Sequence, residues 1–355
     1  MEMKMKVLNS GLVAGMLAAA ALPAAAAEWF PVDVLVTGED GVEASTYTPP
    51  EAASEAWDIC ASLPHLKDPY WLAVNYGLTQ EAERLGVNLI VNEAGGYTNL
   101  AKQISQIEDC AVTGADAVLI GAISGSGLDS LIAELDRQGI VVIDFMNGVS
   151  SDKVMGRSLV SFETMGEYIG KYLAEKHPEG SGEVQVAWFP GPAGASWVEA
   201  GNTGFVKALE GSDATLFDTR YGDTGKEVQL KLVEDSLQSF ADLDYIVGTA
   251  PTAESAAQVL KARGLDGQID ILSYYITPGI LDLMEDGVIA AAPTDSTVLQ
   301  ARIAVDLAVG ALEGDTEMHH LGPVPMVVTS DALGEFDPQT TVAPAEFSPV
   351  FKVSQ

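Results

Sequence analysis

Basic residues are scarce in this sequence. Against 51 Asp and Glu, the 355-residue chain sets only 18 Lys and Arg, a formal charge of −33 at pH 7. Phosphate backbones and anionic lipid surfaces are held by clustered Lys and Arg, so this imbalance excludes a general nucleic-acid or anionic-membrane binder. Acid spread over a surface keeps a protein soluble in salt, where screening shortens self-repulsion to about 8 Å or less. It reads as adaptation to a saline exterior. Disorder is excluded as well, because 47% of the residues are apolar, enough for two domains or one large α/β unit to bury cores.

After the first 22 residues, apolar runs of membrane length are absent. The first run has the form of an export signal: Lys4 and Lys6, an apolar stretch over 7–22, then Ala25-Ala26-Ala27 before Glu28. A cleavable signal over 1–27 and a mature chain free in the periplasm are expected, since no Cys stands near the cleavage point to carry a lipid.

Cysteine is limited to Cys60 and Cys110. In an oxidising compartment two cysteines predict a disulfide before metal or catalysis, with two buried free thiols as the alternative. Histidine is limited to His65, His177, His319 and His320, none in H-E-x-x-H spacing. His319-His320 is expected in a surface turn after a helix. No G-x-S-x-G and no G-x-x-x-x-G-K-[ST] occurs. Gly125-Ser126-Gly127 resembles the opening of a dinucleotide fingerprint, but Ser130 stands where its third glycine belongs. A binder is expected, not an enzyme, with no cofactor and no metal.

Residues 28–55 carry Pro and acid without sustained periodicity and read as an extended N-terminal arm. From Trp57, short apolar runs alternate with amphipathic stretches of helical length, the pattern of a parallel α/β fold. Strands are predicted over 58–63, 87–92, 117–122 and 141–145, with helices over 69–85, 98–113 and 127–138 ending at Gly86, Gly114 and Gly139. A second series follows, with strands over 184–189, 215–218, 245–248, 271–275 and 288–292. Its helices fall over 162–177, 197–209, 225–240, 252–263, 278–286 and 296–313. Two doubly wound parallel-sheet lobes facing each other would gather their strand carboxyl ends around one cleft.

Those strand ends are aromatic. His65-Leu66-Lys67-Asp68-Pro69-Tyr70-Trp71 follows the first strand and Glu93-Ala94-Gly95-Gly96-Tyr97 the second. Phe162 and Trp197 begin helices, and Tyr274-Tyr275 closes a strand. The region from Trp57 to about Val328 resembles the type 1 periplasmic binding proteins, the ribose-binding-protein-like group. The D-P-Y-W loop, the Gly191 to Gly204-Phe205 segment, the Tyr275-Ile276-Thr277-Pro278 turn and Pro293-Thr294-Asp295 carry the likeness. It implies two lobes joined by three crossovers near Val160, Asp295 and Val328. The lobes would be 56–160 plus 296–327 and 161–295 plus 328–355.

The sugar-reading groups of that family are missing. Their places carry Met146-Asn147, Glu199, Ala250-Pro251 and Tyr275, and sugar hydroxyls buried without partners cost about 1–3 kcal/mol each. A narrower resemblance, to the trimethylamine N-oxide-sensing branch of the family, runs through 64–77, 93–97, 165–173 (M-G-x-x-x-G-x-Y-L), 244–250 (D-Y-I-V-G-T-A), A-P-T-D at 292–295 and F-S-P-V-F at 347–351. It extends to both cysteines. It implies a ligand set of Asp68, Tyr70, Trp71, Tyr97, Phe162, Tyr275 and Asp295, with Phe162 in place of the branch's tryptophan. It also implies a partner, the periplasmic sensor domain of a membrane histidine kinase. The chemistry agrees: three methyls bearing diffuse positive charge suit aromatic faces, at about 0.5–2 kcal/mol each, and an oxide accepts from Tyr or indole donors. Betaine and choline would suit the same cage. A substrate-binding subunit of an ABC importer for a methylated amine or other small solute is the second reading. Whether Trp197 faces the ligand is left open.

Overall fold

The computed structural model describes residues 29–38, 40–240, 242–315 and 319–355; the expected export signal lies outside the described residues. The chain opens with the hairpin β1 (Val32–Gly38) and β2 (Gly41–Tyr47). The first α/β series follows: β3 (Asp58–Leu63), α1 (Pro69–Leu85), β4 (Asn88–Glu93), α2 (Leu100–Val112), β5 (Ala117–Gly121), α3 (Asp129–Gln138), β6 (Val141–Phe145) and β7 (Gly156–Ser158). The second comprises α4 (Phe162–Lys176), β8 (Val184–Gly191), α5 (Ser196–Ala208), β9 (Ala214–Tyr221), α6 (Lys226–Ser239), β10 (Tyr245–Gly248), α7 (Ala250–Arg263), β11 (Asp270–Ser273), α8 (Pro278–Glu285) and β12 (Ala291–Thr294). The chain ends with α9 (Thr297–Leu312), β13 (His319–Pro323), β14 (Met326–Thr329) and β15 (Lys352–Val353).

Two lobes result. The first carries a sheet in the order β15-β4-β3-β5-β6-β7-β13-β1-β2, the second a sheet in the order β11-β10-β8-β9, and β12 pairs with β14. Strand β5, A-V-L-I-G, is buried at every position, as a central parallel strand covered on both faces must be. Gly86 and Gly139 cap α1 and α3 in the left-handed region, at φ 78° and 77°. Cys60 on β3 and Cys110 on α2 are disulfide-bonded, their Cα atoms 6.1 Å apart.

Three expectations need correction. The arm is a β-hairpin whose first strand pairs antiparallel with β13, so it extends the first lobe's sheet. Val32, Val34 and Val36 alternate as a half-buried strand should, and Asp40-Gly41 is a turn former, but β2 is exposed from Gly41 to Thr46, its Val42 and Ala44 included, and shows no buried period. The third crossover lies at 324–325, between β13 and β14, because Val328 already pairs with Ala292 of the second lobe. The tail assigned to the second lobe returns to the first: β15 pairs antiparallel with β4, Val350 exchanges two 2.8 Å hydrogen bonds with the Asn75 side chain, and Phe347 packs on Tyr76. An open sheet edge is a liability, and this tail covers it. His319-His320 also differs, lying in β13 and not in a turn.

Helices α4 and α5 set the second lobe's half of the cleft. A Cβ at Gly166 would collide with the Gly201 backbone and one at Gly204 with the Glu163 backbone. Only glycine permits so close a pairing of the two helices. It places Phe162, which opens α4, next to Trp197 in the first turn of α5.

Candidate functional site

The first lobe's contribution starts at the N-terminus of α1. Asp68 is the cap, its Oδ1 accepting from the Trp71 backbone N–H at 3.1 Å, and Pro69 opens the first turn. Tyr70 and Trp71 are thereby fixed at the cleft. The Trp71 ring lies against Gly121 at the end of β5, where a Cβ would sit 2.9 Å from its Cη2. Tyr97 arrives on the Gly95-Gly96 loop after β4. Its hydroxyl accepts from Asn147 Nδ2 at 3.0 Å, and the same amide donates to the Ala122 carbonyl at 2.7 Å.

Across the cleft stand Phe162 and Trp197, with ring centroids 5.8 Å apart, and Tyr275, edge-on to Tyr70 at 5.1 Å. Trp197 fits because Gly191, at φ 121°, leaves its ring edge room; a Cβ there would approach Cη2 to 2.5 Å. Asp68, Tyr70, Trp71, Tyr97, Asn147, Phe162, Trp197, Thr224 and Tyr275 together line a nearly closed cavity of about 20 Å³. That is room for about one water molecule, so the lobes are shut on this site and a ligand of a few heavy atoms needs them to part.

Further contacts close the cleft. Lys67 and Asp223 pair at 2.8 Å, Thr224 Oγ1 donates to Asp68 Oδ2 at 3.3 Å, and Ser196 Oγ donates to the Asn147 carbonyl at 2.6 Å.

Six of the seven residues anticipated from the sequence line this cavity. The seventh, Asp295, stands behind its wall. Its Oδ2 accepts from the Tyr70 hydroxyl at 2.7 Å and Gln300 Nε2 at 2.8 Å, and its Oδ1 from Thr297 at 2.9 Å. Asn147, Thr224 and Trp197 complete the lining. Asn147 had marked a lost sugar contact; here it holds Tyr97. It follows Met146, a non-glycine residue at φ 66°, a backbone state that no sequence pattern announces.

No Lys or Arg lines the cavity. Burial pushes Asp68 up to about 6, the Trp71 N–H partly offsetting it, and holds His65 down to about 4 with help from Lys67. His65 is therefore a neutral imidazole at pH 7. Burial also raises Tyr70, Tyr97 and Tyr275 above the usual phenol range, so all three remain protonated. The Trp197 indole N–H is buried and makes no hydrogen bond. Aromatic faces, a single lining carboxyl and an unengaged N–H suit a small molecule with a cationic or methylated cap and an acceptor atom. Glu199 is exposed, away from any role in holding sugar hydroxyls. Among the described residues no group of three or more His, Cys, Asp or Glu is placed to hold a metal ion, and no helix is long and apolar enough to cross a membrane.

The profile of the periplasmic binding protein domain matches residues 59–316. The chain belongs to the periplasmic binding protein family. It is 33% identical to the periplasmic protein TorT of Escherichia coli K12 over 313 residues, 87% of this chain and 88% of that one. Among solved periplasmic binding proteins, it is 51% identical to an ABC transporter solute binding protein from Bradyrhizobium sp. BTAi1 with bound bis-tris (TM-score 0.80, 92% of this chain and 100% of that one). It also matches the complex of the TorS sensor domain with TorT in the presence of trimethylamine N-oxide, at 33% identity and TM-score 0.75, over 83% of this chain and 99% of that one.

Proposed function

We propose that this chain is an exported periplasmic receptor for trimethylamine N-oxide. The two lobes close on the ligand in the aromatic cavity, and the closed surface reports to the periplasmic sensor domain of a membrane histidine kinase that controls respiration on the N-oxide. The observation that carries the reading is the composition of the cavity wall: aromatic faces from both lobes, no basic residue among the lining residues, and a buried unengaged donor on Trp197. Methyls on a cationic nitrogen are attracted to such faces, and the oxide needs a donor. The site residues proposed are Asp68, Tyr70, Trp71, Tyr97, Phe162 and Tyr275 against the ligand, with Asp295 holding Tyr70.

Likeness to TorT, and to TorT bound to the TorS sensor domain, supports both the ligand and the partner. Ligand that binds the closed form better shifts the population toward it, and docking follows that shift. The site supplies binding groups and no catalytic step. A signal over 1–27 would deliver the mature chain to the periplasm, free of the membrane.

The importer reading has one observation in its favour, the 51% identity to an ABC transporter solute binding protein. Gel filtration of the mature chain with the sensor domain of its neighbouring histidine kinase, with and without trimethylamine N-oxide, separates the two. A complex that changes with the N-oxide supports the receptor. No complex under either condition contradicts it.

A further inference from the structure

Trp197 is a cavity residue with a fully buried polar atom that no hydrogen bond of the fold engages. The residue is 5% exposed, and its Nε1 is buried with no partner at hydrogen-bond geometry; it neighbours the Tyr97 hydroxyl, which already accepts from Asn147. Buried donors in folded proteins are paired almost without exception, so an orphan on a cavity wall points to a ligand atom. The ring has little freedom to turn in search of a partner. It stacks on Tyr274 at 6.3 Å with 15° between planes, touches Phe162 at 5.8 Å and Tyr97 at 6.2 Å, and abuts Gly191 along its edge.

Three neighbouring polar groups are already engaged. The Asn147 amide serves Tyr97 and the Ala122 carbonyl, the Thr224 hydroxyl serves Asp68, and the Tyr70 hydroxyl serves Asp295. Phe162, beside Trp197, offers a face and no donor.

We propose that Trp197 is the specificity-determining residue of this site: its Nε1–H donates to an acceptor oxygen carried by the ligand. The inference rests on the reading of the cavity as the binding site and adds a requirement to it. A methylated, cation-like cap is held by the aromatic faces. The acceptor must lie on the second-lobe side, where Trp197 stands in the first turn of α5. Molecules with the cap alone lose nothing when this N–H is removed, whereas molecules with cap and oxygen lose a hydrogen bond. Because the donor sits on the lobe opposite Tyr70 and Trp71, an acceptor-bearing ligand bridges the two halves of the cleft.

The test uses the mature chain, its Trp197→Phe variant, and two probes: trimethylamine N-oxide, and tetramethylammonium, which replaces the oxygen by a fourth methyl. Calorimetric titration of the variant is expected to show N-oxide affinity lower by about tenfold or more, and tetramethylammonium affinity within about twofold of the parent. Equal losses for both probes, or none for either, would overturn the proposal. A parent protein that binds neither probe would overturn the receptor reading and this inference with it. A measurement on the unmutated chain guards against a folding defect in the variant: the indole N–H resonance of Trp197 should move downfield with the N-oxide and hold its position with tetramethylammonium. A stationary resonance at N-oxide saturation would contradict the proposal.

Discussion

The Tyr70 hydroxyl donates to Asp295 Oδ2 at 2.7 Å across 225 positions of sequence. One partner is a cage residue in the first turn of α1; the other sits on the crossover that leads from β12 into α9. Asp295 is buried, and it is held by Thr297 and Gln300 as well. The angle of the Tyr70 ring in the cavity is therefore set by a residue of the crossover between the two lobes. Tyr70→Phe keeps the ring and removes the bond, leaving a buried carboxyl with one donor fewer. A loss of about 1–3 kcal/mol in unfolding free energy is expected, measured by urea denaturation. Unchanged stability would show that the bond contributes nothing net.

Trp71→Ala should abolish measurable N-oxide binding while the far-ultraviolet circular dichroism stays native. The variant removes a desolvated aromatic face, about 0.5–2 kcal/mol of cation attraction, together with the shape of the cavity. The milder Gly121→Ala tests the same wall, since its Cβ would meet Trp71 Cη2 at 2.9 Å and the ring would have to move. Retained affinity in Trp71→Ala would remove the cage assignment.

The pH dependence follows from Asp68. Its pKa is raised to about 6 by burial, so the carboxylate facing the ligand's cationic cap is present above that value and neutralised below it. Binding should strengthen as pH rises through about 6, and should lose this dependence in Asp68→Asn. Stability behaves differently. A raised carboxyl favours the fold below its ordinary value and loses that contribution as pH rises through about 6. His65, depressed to about 4 by burial, favours the fold above its ordinary 6.5 and loses that contribution as pH falls through about 4. The two slopes oppose each other between about 4 and 6. In Asp68→Asn the His65 slope loses this opposing contribution, so stability should fall more steeply with acid across that window than in the parent. A stability profile in the variant parallel to that of the parent would contradict the assignment.

Much of the fold is legible in the sequence because the parallel strands are short, apolar and bounded by Gly. The predicted 58–63, 141–145 and 245–248 coincide with β3, β6 and β10, and 69–85 with α1. What escaped was structure without a hydrophobic period: the exposed β2, the two-residue β15, and β13, where paired histidines imitate a turn. At the site, the aromatics were legible because several cluster at strand ends. Asn147 was not, since its role depends on the left-handed Met146 before it. Thr224 was invisible for another reason, coming from a loop after β9 that meets Asp68 only when the lobes are together. The Trp197 side chain could be placed only once the glycine contacts between α4 and α5 were known.

The disulfide between Cys60 and Cys110 closes a loop spanning 50 positions. Chain entropy assigns such a loop about 4 kcal/mol, and removal of native disulfides typically costs about 2–5. The Cys60→Ser, Cys110→Ser double variant should unfold at lower denaturant and become insensitive to reductant. Equal midpoints for parent and variant would show that the bridge adds no stability.

The most direct measurement is calorimetric titration of the mature protein with trimethylamine N-oxide, with betaine, choline and ribose as controls. Saturable binding of the N-oxide, stronger than that of any control, is the predicted result. Binding of ribose, or of betaine or choline in preference to the N-oxide, would contradict the account.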